Sequence, residues 1–334
     1  MSLRVGVIGA GAMGADHIRT IATSIPAARV AEVYDFDVDR AYAIAQPVFA
    51  NVATSAEALI DSSAVDAVLI CSPDDTHAAL VRACIAAGKH VLCEKPLAVT
   101  ADDSMSVVEA EVAAGRQMVQ LGFMRRYDPG YREMRKTLRD GQIGTARLVH
   151  CLHRNVSSQT SSTSEGIVTG SMVHELDIVG WLLDDEVDSI RVESPVAEGL
   201  RDPQLATIWM RSGVIVSAEV FVNAAYGYDV RCEVVGTSGT VSLVPPTPTS
   251  IRRAGMDGVH VRDDFIGRFA DAYRLELGAW AEDALNGVVH GPSAWDGYVA
   301  NVIAEAGVAS LTSGVREPVT LAPRPTLYSP IEYS

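Results

Sequence analysis

The sequence predicts an α/β protein whose first part is a doubly wound parallel sheet, and three observations point there. A short apolar strand, Val5-Gly6-Val7-Ile8, runs directly into G-x-G-x-x-G, with Gly9, Gly11 and Gly14 at the three glycine positions. Strand and helix patterns then alternate up to residue 123, which is the signature of a parallel sheet with crossover helices. The second strand, Arg29 to Tyr34, ends at Asp35, 21 residues after Gly14, where a carboxylate can hydrogen-bond ribose hydroxyls. In such a turn the first glycine permits the tight bend. The second lets a pyrophosphate approach the backbone, and the third lets the helix pack on the strand. The helix start, with Ala12 and Met13 in its first turn, offers free N–H groups and a positive dipole end to phosphates.

Composition bounds the function. The chain has 334 residues, 48% hydrophobic and 21% charged, enough for two domains with a large core. A net charge of −15 argues against nucleic acid or an anionic membrane as partner, and no basic stripe offsets it. The five cysteines are scattered, odd in number and without C-x-x-C. They are expected to be reduced core residues of a cytoplasmic protein. The apolar N-terminus carries a glycine fingerprint rather than the features of a signal peptide, and no stretch reaches the roughly 18 apolar residues of a membrane span.

Taken in order, Ala15 to Thr23 completes the first helix and Asp39 to Ala45 forms a second. Arg40, close behind Asp35, softens the preference of that carboxylate for NAD over NADP. Thr54-Ser55-Ala56-Glu57 reads as the capped start of a third helix. Ala67 to Cys71 is a continuous apolar run, as expected of a strand buried on both faces. It ends in Ser72-Pro73-Asp74-Asp75-Thr76-His77, at the carboxyl edge where ligands bind in such sheets. Ala78 to Ala87 is the next helix, closed by Gly88. His90 to Cys93 is the next strand, followed by Glu94-Lys95-Pro96. A lysine there, beside a cofactor cleft, could stabilise the negative charge developing on a substrate oxygen. Thr100 caps another helix, and Gln117 to Phe123 is one more strand. The boundary is expected to divide residues 1–123 from residues 124–334.

These residues together resemble the Gfo/Idh/MocA oxidoreductases: the glycine loop with Asp35, Cys71-Ser72-Pro73 followed by His77, and Glu94-Lys95-Pro96. Further on, Phe123-Met124-Arg125-Arg126-Tyr127-Asp128, His153-Arg154-Asn155, Val173-His174-Glu175-Leu176-Asp177, Tyr226-Gly227-Tyr228-Asp229 and the segment Arg268 to Tyr273 resemble the inositol dehydrogenase branch. Ala294-Trp295-Asp296-Gly297-Tyr298 does so too. The resemblance implies a Rossmann domain followed by an α/β domain with an open, largely antiparallel sheet. It implies NAD-dependent oxidation of a ring hydroxyl of a cyclic polyol or sugar, and a homotetramer. The cofactor would be held by Gly9, Gly11, Ala12, Met13, Gly14, Asp35, Arg40, Ser72, Pro73, His77, Glu94 and Lys95. Lys95 and His174 would be catalytic, and Arg125, His153, Asn155, Asp177, Tyr228 and Tyr273 would border the substrate. No metal is expected; His150, Cys151 and His153 alternate faces on a strand and lack ligand spacing.

In the second half, Asp128-Pro129 has the residue types of a helix start, an acid at the N-cap and proline behind it. That helix is expected to end near Arg139 and Gly141, and Thr145 to His153 to be a strand. The stretch from Val156 to Gly166, rich in serine and threonine, reads as a loop able to cover a cleft. Gly170 to Leu183 reads as a helix presenting His174 and Asp177 to a cleft. A neutral imidazole, titrating near ~6.5 when unperturbed, suits a proton acceptor for an alcohol. One departure stands out. The inositol dehydrogenase pattern has an aspartate four residues before this histidine, and this chain has Gly170, so a substrate other than plain myo-inositol is expected. Short strands follow from Val187 to Val244, with hairpins at Ser212-Gly213 and Ser238-Gly239, and Pro245 to Pro248 breaks the pattern. Helices are expected over about 265–286 and 294–313, then an extended surface tail. Two other readings share these residues: a sugar dehydrogenase or NAD-dependent glycoside-processing enzyme, and a non-catalytic NAD-binding regulator.

Overall fold

The computed structural model describes residues 2–157, 163–244 and 249–329. The middle of the Val156 to Gly166 loop and the Pro245 to Pro248 break therefore lie outside the described residues. The chain divides into two compact units. One comprises Met1–Met124, Tyr273–Asn301 and Leu321–Ser334; the other comprises Arg125–Ala272 and Val302–Thr320.

The first unit is built on six parallel strands: β1 (Leu3–Ile8), β2 (Ala28–Tyr34), β3 (Asn51–Val52), β4 (Ala67–Ile70), β5 (His90–Cys93) and β6 (Val119–Leu121). Their order across the sheet is β3-β2-β1-β4-β5-β6. It reverses direction between β1 and β4, and the crevice beyond the carboxyl ends of those two strands is where such sheets bind ligands. β4 and β5 are buried throughout, as their unbroken apolar run requires. The crossover helices are α1 (Ala12–Ser24), α2 (Val38–Ala45), α3 (Ala56–Asp61), α4 (Asp74–Ala86) and α5 (Ala101–Ala114). The Ser55 side chain accepts from Ala58 N and the Thr100 side chain from Asp103 N, so both expected caps form. α4 begins four residues earlier than its apolar pattern suggests. Pro73 stands at its N-cap, and Asp74 and Asp75 complement the dipole in the first turn. His77, expected in a loop, is thereby placed on a helix.

In the second unit seven strands form a mixed sheet. They are β7 (Ala146–Arg154), β8 (Val187–Glu193), β9 (Gln204–Met210), β10 (Ile215–Phe221), β11 (Asp229–Gly236), β12 (Thr240–Ser242) and, after an exposed ribbon of β13 (Ser250–Arg253) and β14 (Met256–Val259), β15 (Glu317–Pro318). The order is β12-β11-β7-β10-β9-β8-β15, and only the β7–β10 pair is parallel. Burial alternates along β10: Val216, Ala218 and Val220 are buried, while Ile215 lies on the open face.

The helix over α6 (Pro129–Arg139) starts as expected, with the Asp128 carboxylate accepting from Gly130 N and Tyr131 N. The next helix differs from expectation. It starts at α7 (Ser164–Gly166), capped by Thr163, passes through a π-helical turn over Ile167–Met172, and continues as α8 (Val173–Leu183). Gly170 is thus interior to a widened turn rather than a helix start, and π turns of this kind concentrate at functional sites. Helices α9 (Phe265–Asn286) and α10 (Ala294–Ser313) lie where the periodicity puts them. The tail is more than a surface strand. Tyr328 is buried, and its hydroxyl donates to Glu111 Oε2 at 2.5 Å.

Candidate active site

In the first unit the three glycines divide their work as expected. Gly9 has φ +96°, and a Cβ there would lie 2.6 Å from the Cys71 carbonyl carbon. A Cβ on Gly14 would lie 1.9 Å from Gly9 O. A Cβ on Gly11 would meet no protein atom within 4 Å, although the residue is only half-exposed at the start of α1. That is the open cradle a pyrophosphate needs, so these residues fit a dinucleotide. Gly11→Ala is accordingly expected to keep its melting temperature while the KM for NAD rises about tenfold or more, because the methyl enters the phosphate's space. Gly14→Ala is expected instead to lose about 1–3 kcal/mol of stability through overpacking, which thermal denaturation would report.

Asp35, 5% exposed, turns both carboxylate oxygens inward. Oδ2 accepts from Ala10 N at 2.7 Å and Oδ1 from Asp37 N at 2.9 Å, so the residue braces the glycine loop. Arg40 Nη1 lies 3.6 Å from Oδ1. In the α1 turn, Ala12 is exposed and Met13 half-buried. Beyond β4, Pro73 is exposed, and Ser72 Oγ is 2.6 Å from Thr76 Oγ1. His77 is buried with both ring nitrogens occupied, Nδ1 2.7 Å from Pro96 O and Nε2 2.9 Å from Ser72 O. Lys95 is half-buried beyond β5. Glu94 is buried, with His17 Nε2 2.7 Å from Oε1. Burial alone would raise the Glu94 pKa, but the His17 hydrogen bond and the Lys95 charge bring it below the ordinary carboxylate value. Tyr273 belongs to this same unit and meets the His17 ring edge-on, centroids 5.5 Å apart.

In the second unit the substrate candidates fall into a buried group and a rim. Arg125 is 1% exposed; its Nη1 donates to Glu175 Oε1, and its Nη2 is 3.2 Å from His153 Nδ1. That same Nδ1 is 3.2 Å from Glu175 Oε2. Burial opposes the charge on both partners, and their mutual attraction outweighs it, holding the Arg125 pKa up and the Glu175 pKa down. The His153 ring lies 6.1 Å from that of His174 and 5.7 Å from that of Tyr228. Burial, partly offset by Arg125, pushes the Tyr228 hydroxyl up to about 12, so it stays a neutral phenol. Asp177, on α8 with His174, is held by Arg126, whose Nε lies 3.1 and 3.0 Å from its two oxygens. Asn155 continues β7, its backbone N–H donating to Phe221 O at 3.0 Å. Its Oδ1 is buried without a hydrogen-bond partner among the described residues, the kind of acceptor a ligand hydroxyl would satisfy.

The structure therefore brings Arg125, His153, Tyr228 and His174 together on one unit, and Glu94, Lys95 and His77 on the other. Sequence reasoning missed the partners: His17, Glu175 and Arg126. Glu175 adjoins His174 and was legible as part of a motif; His17 carried no signal beyond its place three residues after Gly14. Among the described residues no cluster of His, Cys, Asp or Glu could hold a metal ion, and no helix is long and apolar enough to cross a membrane.

Comparison with known proteins gives the family. The model of the oxidoreductase family with an NAD-binding Rossmann fold, GFO_IDH_MocA, matches residues 3–123. The model of the GFO/IDH/MocA C-terminal domain matches residues 131–242. The chain is 49% identical to Inositol 2-dehydrogenase 1 of Saccharopolyspora erythraea, across 98% of this chain and 99% of that protein. It is 43% identical to the Inositol 2-dehydrogenase/D-chiro-inositol 3-dehydrogenase of Shouchella clausii, across 98% and 97%. Among solved structures it resembles myo-inositol dehydrogenase from Lactobacillus casei in complex with NAD(H) and myo-inositol. There the TM-score is 0.93 at 34% identity, with 98% of this chain and 100% of that chain covered.

Proposed function

The chain belongs to the Gfo/Idh/MocA oxidoreductase family, and on that premise we propose that it is an NAD-dependent inositol 2-dehydrogenase, oxidising a ring hydroxyl of inositol to the ketone. The observation that carries this reading is end-to-end likeness to proteins of that activity, one of them solved with NAD(H) and myo-inositol. Residues 1–123 would carry the cofactor and residues 124–334 the substrate. When bound, the nicotinamide supplies a hydride acceptor. His174 takes the hydroxyl proton, and Lys95 hydrogen-bonds the same oxygen as negative charge develops on it. Asn155 Oδ1 accepts from a ring hydroxyl, satisfying a buried acceptor. Asp177, with Arg126 fixing its carboxylate, and Tyr228 and Tyr273 border the ring. Arg125 and His153 are placed behind them in this reading, which the buried guanidinium's contacts with Glu175 and His153 support.

Gly170 alone pointed to a substrate other than plain myo-inositol. The relatives at 42–49% identity carry the name inositol 2-dehydrogenase, and inositol is the substrate proposed. Initial rates with inositol isomers, O-substituted inositols and pyranoses, each with NAD and NADP and read at the absorbance of the reduced cofactor, test this. An inositol is expected to give the highest kcat/KM, with NAD preferred. A pyranose ahead of every inositol would sink the reading. Asp35→Ser removes the charge that repels a 2′-phosphate and leaves Arg40 in place. The ratio of kcat/KM for NADP over NAD is expected to rise about tenfold or more, equivalent to ~1.4 kcal/mol.

The open sheet face carries Leu148, Leu205 and Ile215, each 38–44% exposed. A like subunit covering it fits a homotetramer, which light scattering would measure. None of the five cysteines is in a disulfide, which supports the cytoplasm as the compartment.

A further inference from the structure

Lys95 is flanked on both sides by residues that buried histidines hold. On its N-terminal side, Glu94 Oε1 accepts from His17 Nε2 at 2.7 Å, while Glu94 Oε2 accepts from the Lys95 backbone N–H at 3.3 Å. On its C-terminal side, the Pro96 carbonyl lies 2.7 Å from His77 Nδ1. The two histidines come from different helices, α1 and α4, and neither reaches bulk solvent. Gly122 leaves the room this needs: a Cβ there would lie 3.0 Å from Glu94 Oε2.

We propose that His17, acting through Glu94, and His77, acting through the Pro96 carbonyl, are positioning residues that set the direction in which the Lys95 side chain leaves the backbone. Neither histidine touches the reacting atoms. The assignment rests on the reading of Lys95 as the group that hydrogen-bonds the alcohol oxygen. Three features carry it. A carboxylate only accepts, so His17 Nε2 donates to Glu94; His77 places a ring nitrogen against each of two carbonyl oxygens, Nδ1 at Pro96 and Nε2 at Ser72, and the Nδ1–H tautomer is the one that ties down Pro96. The anchored groups are the immediate neighbours of Lys95, so any slack in them is transmitted to it through one peptide. Burying polar side chains in this way is poor value for stability compared with apolar packing, which is expected where the arrangement serves placement instead. The other His77 ring nitrogen, Nε2, lies 2.9 Å from Ser72 O.

The test uses the full-length enzyme with NAD and its best inositol substrate. Because a misplacement of ~1 Å costs about 10²-fold, His17→Ala and His77→Ala are each expected to lower kcat by about ten- to a hundredfold. The KM for NAD and the Kd for NADH, read by fluorescence titration, should move less than about twofold. The conservative variants separate placement from packing. An amide nitrogen of Gln overlays the Nε2 position of His, and that of Asn the Nδ1 position. His17→Gln should therefore recover most of the lost kcat. His77→Asn, which keeps the Pro96 contact, should recover it, and His77→Gln, which keeps only the Ser72 contact, should not. Equal rates for His77→Asn and His77→Gln would overturn the proposal, as would wild-type kcat in both alanine variants. Lys95→Met is the control. If it stays active, the reading of Lys95 fails and the positioning role with it; if it is inactive while His17→Ala and His77→Ala turn over normally, the positioning role alone fails.

Discussion

Lys95→Met is expected to fold, bind NADH and lose about 10²–10⁴-fold in kcat with inositol, the range typical of a removed acid–base group. Methionine keeps an unbranched apolar stem and deletes the cationic donor, so packing changes little while the oxygen losing its proton is left without that partner. His174→Gln is expected to fall in the same range, because an amide donates and accepts but does not take up a proton. On the roles proposed for these two groups, the double variant should cost far less than the product of the single losses. Stopped-flow burst amplitudes would show the loss in the chemical step rather than in release. An unaltered kcat in Lys95→Met, with melting temperature and NADH affinity preserved, would contradict the roles given to these residues.

Glu175→Ala is expected to produce the largest loss of stability of any single change in the second unit. It strands the Arg125 guanidinium, which is 1% exposed and has the Glu175 carboxylate as its ion-pair partner. Breaking a buried pair from one side costs about 3–5 kcal/mol, or roughly 6–20 °C in melting temperature for a unit of this size. Replacing both partners with apolar residues of similar volume should cost much less, since no charge is then left buried. The same pair gives a pH signature. Burial pushes the Glu175 pKa up, but Arg125 and then His153 reverse this and hold it below 4.5. The unfolded chain therefore takes up the proton first as acid is added. The stabilisation is complete above about pH 4.5 and drains away as pH falls through the lowered folded value. Glu94 is held low in the same sense by His17 and Lys95. Acid unfolding of Glu175→Gln, followed by circular dichroism, should have a shallower slope below pH 4.5 than the wild type. An identical slope and melting temperature in the Glu175 variants would show that the pair holds nothing together.

What was legible in the sequence was what depends on near neighbours along the chain. The glycine loop is chemistry between residues at most a few positions apart, and so are the Ser55, Thr100 and Asp128 caps; each appears where the residue types put it. β4 could be read because burial on both faces demands an unbroken apolar run. The misses have equally local causes. β13 and β14 are exposed along their whole length, so they carry no apolar alternation to detect. The helix through His174 was placed too late. The serine- and threonine-rich stretch before it hid Thr163 as a cap, and a π turn breaks the 3.6-residue period. Tyr328 looked like part of a surface tail because its partner, Glu111, lies 217 positions away.

The candidate site shows the same division. Residue types such as Lys95, His174 and Asn155 announce themselves by motif. Their supports do not: His17 and Glu94 are 77 positions apart, and Arg125 and Glu175 are 50 apart. Nothing in the residue types alone says that the carboxylate beside His174 faces a buried arginine. That pairing places Arg125 beside both the Glu175 carboxylate and His153.

The central claim is that a hydride passes from a carbinol carbon of inositol to the nicotinamide. It is tested most directly with myo-inositol carrying deuterium at C2, by mass spectrometry of the reduced cofactor and comparison of initial rates. The account predicts reduced cofactor that contains the deuterium, one equivalent per ketone formed, and a slower rate than with the unlabelled substrate under single-turnover conditions. Reduced cofactor without deuterium, or no cofactor reduction at all, would contradict it.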